Sequence, residues 1–178
     1  MLTFWAQGYE ATSLQDLVDA MGINRASIYA TFGGKRALFR QALLRYDATR
    51  RYARLSELER QHPPLEAIHR LFHDWVERAL SDSGPSGCLM TNTALEMAVH
   101  DKEVAAVVSQ SQRDIELFFG RLITQAQADG VISARLDAQA KSRALLGALL
   151  GLLVLARSRA ERPLLEGICE QALENLTA

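Results

Sequence analysis

Apolar positions return every three or four residues along almost the whole chain, and this pattern predicts helices throughout. Leu14, Leu17, Val18 and Met21 fall at i, i+3, i+4 and i+7, one core face of a helix. Thr12 or Ser13 caps it, and Asp16, three residues after Ser13, stands where a capping box carries its acid. Gly22 lets the backbone turn sharply, as helix-turn-helix connections require. Asn24 caps a short helix over residues 25–31, with Ile23, Ile28 and Phe32 pointing inward. The outward set is Arg25, Ala26, Ser27, Tyr29 and Thr31, small enough to enter a major groove and polar enough to read it.

Upstream, Phe4 and Trp5 mark a helix already under way at Met1 and closed at Gly8, so a turn or two is expected before the first residue. Downstream, Gly33 and Gly34 break the chain before a long helix over residues 35–58, tied to the head by Leu38, Phe39, Ala42, Leu43 and Tyr46. His62-Pro63-Pro64 ends it. An amphipathic helix follows over residues 65–80, then a loop over 81–87. Residues 88–99, apolar nearly all round, predict a buried helix. Long helices then span residues 101–128, about 137–161 and 163–176. The expectation is an all-α chain of about nine helices. A three-helix head over residues 1–46 carries a larger helical body over residues 47–178.

Composition narrows the class. At 48% apolar and 23% charged residues, the chain has the make-up of an ordinary globular protein. Cys88 and Cys169 supply neither a disulfide framework nor a four-ligand zinc site, and they suit a reducing cytosol. The start lacks the basic region of a signal peptide. The longest apolar run, over residues 145–156, falls short of the roughly 20 residues that a membrane span needs. A cytoplasmic protein without a membrane partner is expected. The net charge is only -1, but residues 25–54 hold eight cations against Asp47 alone, a local +7. Such a basic face on an acidic body suits a phosphate-bearing partner.

The stretches GYEATSLQDL, MGINRASIY and FGGKRALF together resemble the tetracycline-repressor (TetR) family of bacterial transcriptional regulators. The later segment SGCLMTNTALEMAV resembles a subset of that family with a Gly-Cys-Leu opening to the sixth helix. The resemblance implies a ligand-responsive regulator, most simply a repressor, that binds a pseudo-palindromic double-stranded DNA operator as a homodimer. Thr12 and Ser13 would meet a phosphate, Arg25 a guanine edge or a phosphate, and Ala26 and Ser27 the bases. Tyr29 and Lys35 would close on further phosphates, with Asn24 and Thr31 at the same surface. Gly34 and Arg36 depart from the family's common Ser and Glu, which weakens that cap and adds positive charge.

The resemblance also implies dimerisation through the last two long helices, for which the expected interface is Leu146, Gly147, Leu150, Gly151, Leu153 and Leu173. The G-x-x-x-G spacing of Gly147 and Gly151 in so apolar a helix supports this independently. A small-molecule effector, with no fixed cofactor, is implied inside the body, where Phe72, Trp75, Met90, Met97, Phe118 and Leu122 are the candidate lining. Cys88, at a helix N-terminus, is a candidate redox residue, whereas Cys169 sits on an apolar face and reads as inert. A competing reading, a small metal-binding protein or enzyme, rests on Glu66, His69 and His73 along one helix. No nucleophile–base pair or phosphate-cradling loop supports an enzyme, and the pairs Glu57/Glu59 and Asp101/Glu103 read as solvated faces.

Overall fold

Ser13 accepts a hydrogen bond from the Asp16 amide at 3.1 Å, and the Asp16 carboxylate accepts one from the Ser13 amide at 2.7 Å. This capping box starts α2 (Leu14–Met21) in the computed structural model, which describes residues 1–81 and 84–177. Every regular element among the described residues is helical. Before α2 lies α1 (Leu2–Gln7). After it come α3 (Arg25–Phe32) and α4 (Lys35–Tyr46), then a π-helical turn (Asp47–Tyr52) and α5 (Ala53–Gln61). The body continues with α6 (Pro64–Leu80), α7 (Leu89–Glu96), α8 (Lys102–Ala128), α9 (Ala138–Ser158) and α10 (Arg162–Thr177). Of the loop expected over 81–87, residues 82 and 83 lie outside the described residues.

The head is held by aromatic packing. Phe4 of α1 meets Phe39 of α4 edge to face at 4.9 Å, Tyr9 leans on the same ring at 4.9 Å, and Leu17 and Ile28 close the core from α2 and α3. Each such ring pair adds about 1 kcal/mol beyond its buried area. Met21, expected on that core face, is 40% exposed because the helix ends at its position and turns away through Gly22.

From Lys35 to Gln61 the chain is one unbroken rod, since the residues flanking the π-helical turn keep right-handed helical torsions. The wide turn has no proline or glycine to announce it. Arg51 within it pairs with Asp47 at 2.5 Å and reaches Asp114 of α8 at 2.9 Å, so a side chain bound to a neighbouring helix accompanies the change of pitch.

In the body α8 packs against α6 and α9, and α10 lies on α6 and α9. Phe72, Phe118 and Phe119 fill the centre. Helix α9 has 21 residues and an 18-residue stretch of mean hydropathy 1.4, long and apolar enough to cross a membrane by those measures; Leu145, Leu149, Leu152 and Leu153 turn from it into the body's core. The buried helix expected over residues 88–99 is shorter than its apolar composition suggests. α7 stops at Glu96, and Leu95 and Val99 are 70% and 85% exposed, because only one side of this short helix finds the body.

Polar contacts fasten head to body. The Trp5 indole donates to the Gly87 carbonyl at 3.1 Å, and Arg157 of α9 donates to the Trp5 carbonyl at 3.3 Å. The Glu96 carboxylate accepts the amides of Tyr9 and Glu10 at 3.0 and 2.8 Å. Arg36 grips Asp101 with two hydrogen bonds, at 2.6 and 3.0 Å. That guanidinium, helped by the amides of Val104 and Glu103, holds the Asp101 carboxyl down at about 2. Asp101 is therefore a strut and not a solvated acid, and Glu57 and Glu59 likewise pair with Arg54 and Arg121. Replacing Glu96 by alanine should weaken the α1–α2 turn by about 2 kcal/mol, since two charge-assisted bonds vanish. Amide exchange at Tyr9 and Glu10 should accelerate, with Glu96→Gln intermediate; unchanged protection would mean that the carboxylate does not hold this turn.

Candidate functional site

Helix α3 presents the outer surface of the head. Asn24 caps it, its side-chain oxygen accepting both the Ser27 amide at 2.8 Å and the Ser27 hydroxyl at 3.0 Å. Arg25, Ala26, Tyr29 and Thr31 are exposed, Ser27 is half-buried, and Ile28 is wholly enclosed. The Tyr29 ring rests beside Gly34, where an added β-carbon would stand 3.4 Å from it. Gly34 has φ +130°, a conformation that a side chain resists, so glycine suits the start of α4 through its backbone, while the tyrosine ring lies at ordinary contact distance from an added β-carbon. Lys35 lies over the Tyr9 ring with Nζ 4.2 Å from its centroid, which fixes the ammonium at the same surface. Tyr9 as the seat of Lys35 is a residue that sequence reasoning missed, and only the fold of the α1–α2 turn reveals it.

Two expectations change here. Thr12 is fully buried, its hydroxyl donating to the Gly8 carbonyl at 2.5 Å, so it braces the turn and offers a phosphate nothing. Ser13 stays exposed at the start of α2. Arg36 is drawn to Asp101, and Arg40 lies 3.8 Å from Glu103. Arg51 and Arg54 likewise pair with acids of the body. The basic stretch is thus half neutralised internally, which leaves Arg25 and Lys35 as the cations of this outer surface named from the sequence.

Behind the head a cavity of about 280 Å³ opens between the rod, α6, α7, α8 and α9. Thr49, Arg50 and Arg51 of the π-helical turn line it, together with Tyr46 and Cys88. The Tyr46 hydroxyl donates to Cys88 Sγ at 3.4 Å, its ring meets Trp5 at 5.0 Å, and burial pushes its hydroxyl well above the usual tyrosine value. One wall of the cavity is therefore a single contact from α1. Of the six lining candidates, Trp75 and Met90 face this space. Phe72 and Phe118 have no exposed surface and belong to the solid core. Met97 is buried at the end of α7, and Leu122 borders a separate open groove along α8 and α9. Large apolar residues on the right helices were a poor guide, because a cavity is a place where packing fails.

On the outer side of α9, Gly147 and Gly151 are exposed and Gly167 of α10 is half-buried, each with nothing within 4 Å of an added β-carbon. A shallow apolar groove runs beside them past Ala148, Leu164, Ile168 and Ala172. Leu146 and Leu173 are half-buried, and Leu150 lines the cavity. Leu153 corrects the expected interface: at 2% exposure it is sealed in its own body.

Glu66 bonds Arg70 at 2.7 Å and lies 3.4 Å from His62, and no group of three metal-ligating side chains occurs among the described residues. The arrangement proposed for Glu66, His69 and His73 does not form. Cys169 sits at the edge of a groove between α6 and α10, its thiol raised to about 11 by burial and by the neighbouring Glu166 and Glu170.

Residues 3–42 match the family described as bacterial regulatory proteins, tetR family, and residues 64–171 match the tetracyclin repressor-like C-terminal domain. An uncharacterized HTH-type transcriptional regulator of Bacillus subtilis, YezE, is 31% identical over 97% of this chain and 90% of its own length. The HTH-type transcriptional repressor ComR of Escherichia coli is 30% identical over 90% of this chain and 77% of its own. Among solved structures, a cysteine mutant of the TetR family regulator CifR, in complex with 26-base-pair operator DNA, superposes with a TM-score of 0.86 at 32% identity. That match covers 97% of this chain and 91% of the other.

Proposed function

We propose a mode of action from the premise that this chain belongs to the TetR family of bacterial regulatory proteins. It is a ligand-responsive DNA-binding regulator of transcription and not an enzyme. In our reading it works in the cytoplasm as a repressor. Residues 1–46 form the DNA-binding head, and residues 47–178 form the ligand-binding and dimerising body. Within the family we group it with members in which Gly-Cys-Leu opens the helix after the loop. Here the Gly87 carbonyl receives Trp5 and the Cys88 sulfur receives Tyr46.

The observation that carries this reading is α3 itself, a capped helix whose outer side shows Arg25, Ala26 and Tyr29 beside the tethered Lys35. Laid in a major groove, Arg25 and Ala26 meet base edges while Tyr29, Lys35 and the start of α2 at Ser13 meet phosphates. Two copies join through α9 and α10 around Gly147, Gly151 and Gly167, where close approach meets no side chain. The effector enters the cavity behind the π-helical turn. That turn continues directly into α4, so a ligand that shifts it tilts α4 and changes the separation of the two heads.

Fluorescence anisotropy with DNA from upstream of the protein's own gene tests the core of the reading. A sequence-dependent complex with two chains per site should form and weaken steeply as salt rises. Binding indifferent to both sequence and salt would remove α3 as the reading element.

A further inference from the structure

Four arginines, Arg50, Arg51, Arg54 and Arg78, line the body cavity against two acids, Glu57 and Asp74. Both acids are engaged by Arg54. Arg50 and Arg78 have no acidic partner among the described residues, and Arg78 lies over the Trp75 ring at 5.1 Å. Arg51 is nine-tenths buried. Its Nε and Nη2 serve Asp47 and Asp114, yet Nη1 is buried with no hydrogen-bond partner. A charged donor left unmatched inside a protein calls for an acceptor. Much of the rest of the wall is apolar, with Leu71, Trp75, Met90, Val108, Ile115 and Leu149. The volume of about 280 Å³ sits at the small end for a ligand site.

We propose that this cavity takes a small organic monoanion with an apolar body, its acid group meeting the free side of the Arg51 guanidinium and its body lying against Trp75 and Met90. The proposal rests on the reading of the cavity as the effector site and gives that site a chemical class. A cation would face unpaired arginines. A plain hydrocarbon would leave Nη1 as it is. An acid completes the guanidinium and, because Arg51 belongs to the turn that prolongs α4, acts on the rod itself.

The test uses the full chain with octanoate, phenylacetate and octanesulfonate, against octanamide, phenylacetamide and octylamine. Thermal shift and tryptophan fluorescence report binding. The acids should raise the melting temperature and perturb the fluorescence, whereas amides and amine should not. Sulfonate against carboxylate separates the two acid types. Arg51→Lys, which keeps the charge near Asp47 and Asp114 but loses the fork, should weaken acid binding at least roughly tenfold. Leu150→Trp, which fills the cavity from a half-buried position, should abolish it. Amides that match the acids, or acids bound equally by Arg51→Lys, would overturn the acid class while Leu150→Trp still marks the cavity. Acid binding that Leu150→Trp leaves intact would overturn both readings, and no binding by any of the acids at millimolar concentration would overturn the proposal.

Discussion

Gly151→Arg should yield a folded monomer whose operator affinity is lower by roughly two to four orders of magnitude, the range that linking two binding modules commonly contributes. The fold should survive because Gly151 is exposed on the helical stretch of α9 and an added β-carbon meets nothing within 4 Å in its own chain. The partner is a different matter. A guanidinium placed where two apolar helices touch would be desolvated without a counter-ion, and its bulk would hold the backbones apart. Sedimentation velocity should show one chain in place of two, with unchanged circular dichroism. A variant that remains dimeric and binds DNA like the parent would move the seam elsewhere on the surface.

The double substitution Arg25→Ala with Tyr29→Ala should weaken operator binding by about two orders of magnitude, on the order of 1 to 3 kcal/mol for each lost contact. Both side chains are exposed, Tyr29 by 53%, so the melting temperature should hardly move. The single variants separate the roles. Tyr29→Ala should weaken all DNA sequences alike. Arg25→Ala should relax preference at one base pair if the guanidinium reads a guanine edge, and should instead reduce the salt slope by about one if it contacts a phosphate. Lys35→Ala, which frees the Tyr9 ring, should also lower that slope. Parent-like affinity in the double variant would disconnect α3 from the DNA.

Much of the head was legible before any coordinates, because its signals are local. The Ser13–Asp16 box, the Gly22 turn and the Asn24 cap depend on residues within a few positions of one another. Thr12 was not legible: which way its hydroxyl turns depends on how α1 meets α2, and it turned toward Gly8. Nor was the fate of the basic stretch, since Arg36, Arg51 and Arg54 find acids that are distant in sequence. In α9 the difficulty is rotational. A helix apolar on nearly every side carries no polar marker of its phase, and one residue is about 100° of rotation. Leu153 faces inward while its neighbour Val154 is 38% exposed.

On the dimer we propose, α9 has a second duty. Arg157, less than two turns beyond Gly151, holds the carbonyl of Trp5, so the helix of the seam also touches the first helix of the head. The lexicon of the protein and its ruler are then written in separate places. Changes on α3 alter which bases are preferred, while changes along α9 alter how far apart the two half-sites must lie. An operator that drifts by a base substitution can be followed by a mutation in the head. One that gains or loses a base pair between its halves can be followed only by re-seating the seam, so spacing should be the slower of the two to diverge among regulators built on this plan.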